Sequence, residues 1–305
     1  MIYRLYKLEF FNNVHFGKNS LNDAEISFAA DTLFSALCIE AVQQGNLNQF
    51  YEMVQNGQLM FSDAFPYQGK IYYLPKPCIR IEKTESRGDS SEKKKIKKMK
   101  YIPVEQLDLW LQGKFVPDDR YDLSKLGRKG IKVSVAVRGK EEPEPYRVKY
   151  FTFNEGNGLY FIAGGAEENL EFMEELLTSL SYSGLGGKRY SGMGRFDYIT
   201  DKVPEIIEKR IQKKASRYML LSTALPEEKE LPDILKDADY QLIRRGGFVA
   251  SETYAEQQMR KKDLYVFAAG SCFGKRFDGK VYDVSSGGKH PVYRYAKGFF
   301  MGVDV

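Results

Sequence analysis

Leu170, Met173, Leu176, Leu177 and Leu180 recur at helical spacing, and glutamates crowd the start of the segment they mark. This predicts an amphipathic helix from Glu167 to Ser181. A second helix is predicted from about Asp31 to Gln44, where Leu33, Phe34, Leu37, Ala41 and Val42 share one face and Gly45 stands at the end. Period-two alternation marks strands instead. Ile131-Lys-Val-Ser-Val-Ala-Val137 alternates strictly, and an aromatic-rich strand runs to about Phe11 before a turn at Asn12-Asn13. Tyr146 to Phe153 and Leu159 to Ala163, joined by Asn154-Glu-Gly-Asn-Gly158, read as a hairpin, with shorter β-rich runs at Ile71 to Leu74, Cys78 to Glu82 and Phe196 to Thr200. After a basic connector, Glu205 to Ser216, a second set begins. It comprises a strand at Tyr218 to Thr223, a helix at Lys229 to Asp237, a strand at Tyr240 to Arg244, and β-rich runs at Gly247 to Tyr254, Leu264 to Ala268 and Val292 to Val303. Element order therefore predicts an α+β protein of two ferredoxin-like domains. The first would span residues 1–204 with a large insertion at about 83–147, and the second residues 205–305.

The periodicity fails between Lys83 and Lys100, where the chain is rich in Ser, Gly and Lys. Lys93, Lys94, Lys95, Lys97, Lys98 and Lys100 alone exceed the formal net charge of +5, so the positive excess is local. Either a solvated, disordered loop with no specific partner or a flexible arm that orders on a partner such as a nucleic acid is expected there. The 305 residues suffice for two domains; 43% hydrophobic content is ordinary for a globular protein, and 14% aromatic is high. Cys38, Cys78 and Cys272 stand far apart with no C-x-x-C, which supports neither a disulfide framework nor a thiolate zinc site. With only His15 and His290, a His-rich metal centre is excluded, and H-E-x-x-H and G-x-S-x-G are absent. Neither a metal nor a cofactor is expected. No apolar run of about 18 residues or leader-like pattern occurs, so a cytoplasmic protein with no membrane partner is the expectation.

One segment carries clear chemistry. Gly184-Leu-Gly-Gly-Lys-Arg-Tyr-Ser-Gly-Met-Gly-Arg195 sets Gly184, Gly186, Gly187, Gly192 and Gly194 beside Lys188, Arg189, Tyr190, Ser191 and Arg195. Glycines permit positive φ and close backbone approach, so the run could curl its NH groups into an anion nest beside full positive charges. The order helix, Gly loop, strand reverses that of mononucleotide and dinucleotide sites. A P-loop would need Gly at Tyr182 and Ser or Thr at Arg189, and neither glycine cluster completes G-x-G-x-x-G. The phosphates of a polymeric backbone fit better.

Further motifs carry a resemblance. Phe28-Ala-Ala-Asp-Thr-Leu-Phe-Ser-Ala-Leu37, Phe61-Ser-Asp-Ala-Phe-Pro66, Tyr72-Tyr-Leu-Pro-Lys-Pro77, the lysine run before Tyr101, the Gly loop with its flanks Ser183 and Phe196, and His290-Pro-Val-Tyr-Arg-Tyr295 span nearly the whole chain. Together they resemble the fourth Csm-series subunit of type III-A CRISPR interference complexes, a member of the RAMP superfamily. The resemblance implies ferredoxin-like (RRM-like) domains and a Gly loop that holds RNA. It implies an end-cap that grips the 5′ repeat-derived handle of the CRISPR RNA between the large polymerase-like subunit and the backbone RAMP subunit. It also implies a thumb-like β-hairpin that enters the guide–target duplex, for which the strand Ile131 to Val137 is a candidate, with the lysine run as an arm.

Individual residues have competing readings. His15 could stack on a base, act as a general acid or simply be a hydrogen-bonded loop residue. Asp31 opens the first helix, where a carboxylate caps orphan NH groups, and without partner carboxylates it is a poor divalent-metal ligand. Arg244-Arg245-Gly246-Gly247 repeats the chemistry of the main loop on a smaller scale, and His290, Tyr293 and Arg294 form an aromatic and basic cluster suited to an unpaired base. The expected function is non-catalytic RNA binding and scaffolding. The alternatives are a metal-independent repeat-processing endoribonuclease using His15, and a protein adaptor whose Gly loop touches another subunit.

Overall fold

A computed structural model describes residues 1–17, 20–80, 90–136, 144–251 and 253–304, with the backbone alone for 90–93 and 136. β1 (Ile2–Phe10) leads through α1 (Ala30–Gln43) and α2 (Leu47–Gln55) to the short strands β2 (Leu59–Phe61), β3 (Phe65–Gln68) and β4 (Ile71–Pro75). Next come α3 (Ser90–Lys98), β5 (Tyr101–Pro103), α4 (Leu107–Leu111) and three longer strands, β6 (Gly127–Ala136), β7 (Glu144–Phe153) and β8 (Asn157–Gly165). α5 (Glu167–Ser183) and β9 (Phe196–Lys202) close this first part. The remainder is α6 (Glu205–Gln212), β10 (Arg217–Leu220), α7 (Leu231–Ile234) and the short strands β11 (Ala238–Asp239), β12 (Leu242–Arg245), β13 (Leu264–Phe267) and β14 (Cys272–Phe273). β15 (Gly279–Asp283), β16 (Tyr293–Lys297) and β17 (Phe300–Val303) complete it. The chain is α+β.

The larger sheet has seven strands in the order β5-β4-β3-β8-β1-β9, with β2 also on β8, and the smaller has the order β11-β14-β10-β17. The strand pairs of the larger sheet are antiparallel. The unbroken apolar run in β8 is explained by burial of both its faces. Leu159, Phe161 and Ala163 enter one core with α1, α2 and α5, whereas Tyr160 and Ile162 enter a second core with Ile207 of α6 and Met219 and Met301 of the smaller sheet. The two sheets thus share the second core. The predicted apolar positions of the acidic helix, Leu170, Met173, Leu176, Leu177 and Leu180, are all buried.

Several expectations change. β7 does not pair with β8; it pairs along its length with β6, so the hairpin is the ribbon Gly127–Ala136 with Glu144–Phe153. Asn154 and Asn157 explain the break: both side-chain amides bond the Lys125 carbonyl, and the Asn154 NH bonds Leu126 O, which steers the chain from the ribbon into the central sheet. The lysine run is helical over Ser90–Lys98, while 83–89 and Val137 lie outside the described residues. Lysine has good helix propensity, and Lys76 Nζ donates to the carbonyls of Ile96 (3.3 Å) and Lys97 (3.2 Å) at the helix C-terminus. The basic connector contains α6, whose Ile207 and Ile211 are buried. Residues 78–80 form no strand, with 81–82 outside the described residues, and among the described residues of 247–254 the only β-pairing is the isolated bridge of Phe248 with Arg260.

Candidate nucleic-acid interface

The Gly loop begins where α5 ends. Gly184 has φ +84° and its NH donates to Leu180 O at 2.7 Å. The two limbs of the loop then run side by side, with the Leu185 NH bonding Gly194 O at 2.9 Å. A Cβ on Gly194 would lie 2.1 Å from Leu185 O, so only glycine fits. The loop is stitched to the segment after β1 by Gly187 NH to His15 O (2.9 Å), Gly194 NH to Asn13 O (3.0 Å) and Asn12 Nδ2 to Gly192 O (2.6 Å). At the tip, Lys188 is left-handed at φ 61° and a 3₁₀ turn spans Arg189–Ser191.

These bonds revise the anion-nest expectation. The NH groups of Gly184, Leu185, Gly187, Ser191, Gly192 and Gly194 all donate within the protein, so the close approach that glycine permits is to the chain's own backbone. What the loop presents outward is side chains: Arg195 is exposed, Arg189 is half-buried, and Tyr190 is 97% exposed. Lys188 is turned toward the β6–β7 ribbon, where its ammonium bonds Tyr146 OH at 3.1 Å and lies 4.6 Å from the ring centroid, which lowers the Tyr146 pKa. His15 is buried beneath the loop with Nδ1 2.6 Å from Lys149 O, and a Cβ on Gly187 would meet its ring at 2.6 Å. It acts as a structural support for the loop, and the stacking reading does not fit its burial.

Beside the loop opens a cleft of about 900 Å³. One wall is His15, Gly186, Gly187 and Arg189; the floor includes Thr32, Ser35 and Ala36 of α1; Lys76, Lys97, Lys98 and Lys100 border one end; Arg244, Arg245, Phe248 and Lys261 form the opposite wall. Lys100 pairs with Glu25 at 3.1 Å. Lys94 and Lys95 are exposed but do not line the cleft, and the Lys93 side chain lies outside the described residues.

The floor carries the densest charge. Asp31 is buried and accepts from Arg245 Nε (2.8 Å) and from an Arg245 terminal nitrogen (2.5 Å), and from Arg294 at 2.7 Å. Burial alone would raise the Asp31 pKa; Arg245 and Arg294 overcome it and lower it to about 2. The α1 N-terminus is capped by another carboxylate. Asp63 Oδ1 accepts from the Ala30 NH and the Thr223 NH, each at 2.8 Å, which ties α1 to the chain after β10. Burial pushes the Asp63 pKa up to about 7. Lys261 is half-buried near the same cluster, and burial, then Arg294, hold its pKa below the ordinary value.

Three expected RNA contacts are therefore corrected. Arg294 has a side chain only 6% exposed and bonds Asp31 and Gly246 O; Arg245 is forked onto Asp31. Both line the cleft with their guanidinium groups paired to Asp31, so they add positive potential to its surface. His290 leaves the cleft altogether, bonded through Nε2 to Ser251 Oγ at 2.8 Å and edge-on to Tyr254. Tyr293 borders the cleft but stacks on Tyr51 at 4.3 Å. Sequence reasoning gives no site role to Lys76, Asp63, Phe248 or Lys261, although Lys76 and Asp63 stand within the motifs Tyr72–Pro77 and Phe61–Pro66 and Lys261 within the basic triplet Arg260-Lys261-Lys262. Among the described residues no cluster of His, Cys, Asp and Glu could hold a metal ion, and no helix is long and apolar enough to cross a membrane.

Comparison with known proteins decides the family. The CRISPR Csm4 C-terminal domain profile matches residues 213–303. The CRISPR system Cms protein Csm4 of Mycobacterium tuberculosis is 39% identical over 305 residues, covering 98% of this chain and 97% of that protein. This chain belongs to the Csm4 family. Solved structures of similar fold include one of a Csm3–Csm4 subcomplex in the type III-A CRISPR-Cas interference complex, with TM-score 0.66, 17% identity, and coverage of 98% of this chain and 99% of that one. Another, of a Csm1–Csm4 cassette in complex with pppApA, has TM-score 0.63 at 20% identity and covers 99% and 97%.

Proposed function

We propose that this Csm4-family chain is a non-catalytic RNA-binding subunit of a type III-A CRISPR effector complex, whose cleft holds the 5′ repeat-derived handle of the CRISPR RNA. The observation that carries this reading is the charge balance of the cleft. Arg245, Arg294 and Lys261 surround Asp31, and Arg189, Lys97 and Lys98 line the rim, so the cations outnumber the lining carboxylates of Glu25, Asp31 and Asp63. The excess positive charge favours a polyanion such as an RNA strand. In this reading residues 1–204 and 205–305 are two ferredoxin-like domains, with an insertion at about 83–147, that meet at the cleft. The relatives solved with Csm3 and with Csm1 support a position linking the backbone RAMP filament to the large polymerase-like subunit, in the cytoplasm.

The β6–β7 ribbon is the thumb in this proposal. Ile131, Val133 and Val135 are exposed on one face, opposite Lys149, Arg147 and Pro145 in register, so cations flank the apolar stripe at Ile131 and Val133. Tyr146, on the other face, ties the ribbon to Lys188 of the Gly loop.

Ultraviolet crosslinking of the assembled complex, with adducts mapped by mass spectrometry, tests the reading. RNA adducts are expected on the Gly loop and the Lys97–Lys98 rim; a pure adaptor would yield none. Incubating the purified chain with repeat RNA in EDTA tests the enzymatic alternative. The proposal expects no product, whereas a defined product abolished by His15→Ala with folding intact would make the chain a processing endoribonuclease.

A further inference from the structure

Phe248 stands apart from the other aromatic residues around the cleft. Phe16 and Phe28 are buried against each other, Tyr293 stacks on Tyr51, and Tyr101 donates its hydroxyl hydrogen bond to Ser27. Phe248 lines the cleft with 51% of its surface exposed and belongs to none of the hydrophobic clusters among the described residues. Its backbone is nonetheless fixed. β12 ends at Arg245, Gly247 takes φ +121°, and a short ladder follows in which Lys261 NH bonds Gly247 O and Val249 NH bonds Met259 O, each at 2.9 Å, around the Phe248–Arg260 bridge. The Arg260 guanidinium lies 5.6 Å from the ring centroid, and Arg244 and Lys261 are the neighbouring cations of the wall.

An exposed ring on a pinned backbone beside positive charge fits one kind of ligand. We infer that Phe248 is a base-stacking platform: an unpaired base of single-stranded RNA lies on its ring while the adjoining phosphates take the charge of Arg244 and Lys261. The inference rests on the reading of the cleft as an RNA site. Because Phe carries no hydrogen-bonding group, the platform accepts any base, and sequence preference at this nucleotide must come from other groups. The backbone that carries the ring is fixed by the ladder, which spares the ordering cost of a mobile loop.

Retention of a labelled CRISPR RNA by the assembled complex tests this. Phe248→Ala is expected to weaken binding by about 5- to 150-fold, the range for removing one base–aromatic stack. Phe248→Trp should keep it, and Phe248→Leu should behave as the alanine variant because it is apolar but cannot stack. The salt dependence should stay unchanged in all three, and so should the melting temperature. Wild-type affinity in Phe248→Ala or Phe248→Leu overturns the platform while leaving the cleft as the RNA site. Absence of RNA binding by the wild-type complex overturns both.

Discussion

Two segments that combine glycine with arginine face the same cleft, and they end in opposite states. In the loop from Gly184 to Arg195, Arg189 and Arg195 pair with no carboxylate among the described residues, and the glycines serve backbone packing. In Arg244-Arg245-Gly246-Gly247, Arg245 is spent on Asp31, and Arg244 lies 3.6 Å from Asp263. The difference comes from residues far away in sequence, since Asp31 lies 214 positions from Arg245 and 263 from Arg294. Arginine beside glycine is therefore without a carboxylate partner at Arg189 and Arg195 among the described residues, and is a structural clamp at Arg245. A distant carboxylate decides which.

The strongest way to break this contrast is Asp31→Ala. It leaves Arg245 and Arg294 as uncompensated, largely buried cations, so thermal or chemical denaturation should show a loss of about 3–5 kcal/mol. A loss near the roughly 0.5–2 kcal/mol of an ordinary helix N-cap would mean that the clamp contributes little. The loop responds to a different substitution. Gly192 and Gly194 share φ +80°, but a Cβ on Gly192 meets nothing within 4 Å while one on Gly194 strikes a carbonyl at 2.1 Å. Gly192→Ala should cost about 1–2 kcal/mol from left-handed strain alone, and Gly194→Ala should cost more and detach the limb; equal melting temperatures for the two would contradict the packing described.

The two buried carboxylates of the cleft also predict opposite pH responses. Asp31, held near 2, contributes stability that is present above its ordinary value of 3.8 and lost as pH falls through about 2. Asp63, raised to about 7, contributes stability that is full below 3.8 and lost as pH rises through about 7. Asp63→Asn keeps a side-chain oxygen for the Ala30 and Thr223 NH groups and removes the titration. Stability measured by denaturation between pH 4 and 8 should therefore fall less steeply with pH in the variant than in the wild type. Parallel curves would show that Asp63 titrates at its ordinary value.

Local pattern makes some of this legible and leaves the rest hidden. The leucines of α5 and Leu33, Phe34, Leu37 and Ala41 of α1 lie in the core because a helix buried on one side writes its period into the sequence, whereas Val42, expected on the same face, is exposed. β6 is legible as a strand, but alternation records which face a residue takes and says nothing about its partner, so proximity in sequence points β7 to β8 when it belongs with β6. The lysine helix has no apolar stripe to announce it, and α6 carries only Ile207 and Ile211 inside among charged neighbours. The Gly loop is visible as chemistry. Its internal bonds are not, because Asn12, Asn13 and His15 reach it across more than 170 residues.

The salt dependence of CRISPR RNA retention bears most directly on the claim that the Gly-loop cations hold the RNA backbone while the clamp does not. In Arg189→Ala/Arg195→Ala, the slope of log affinity against log salt should flatten by about 0.7 for each single-strand phosphate that the variant no longer neutralises. In Arg245→Ala, assayed below its own unfolding temperature, the slope should keep its wild-type value. A slope unchanged in the loop variant and flattened in the clamp variant would contradict the account.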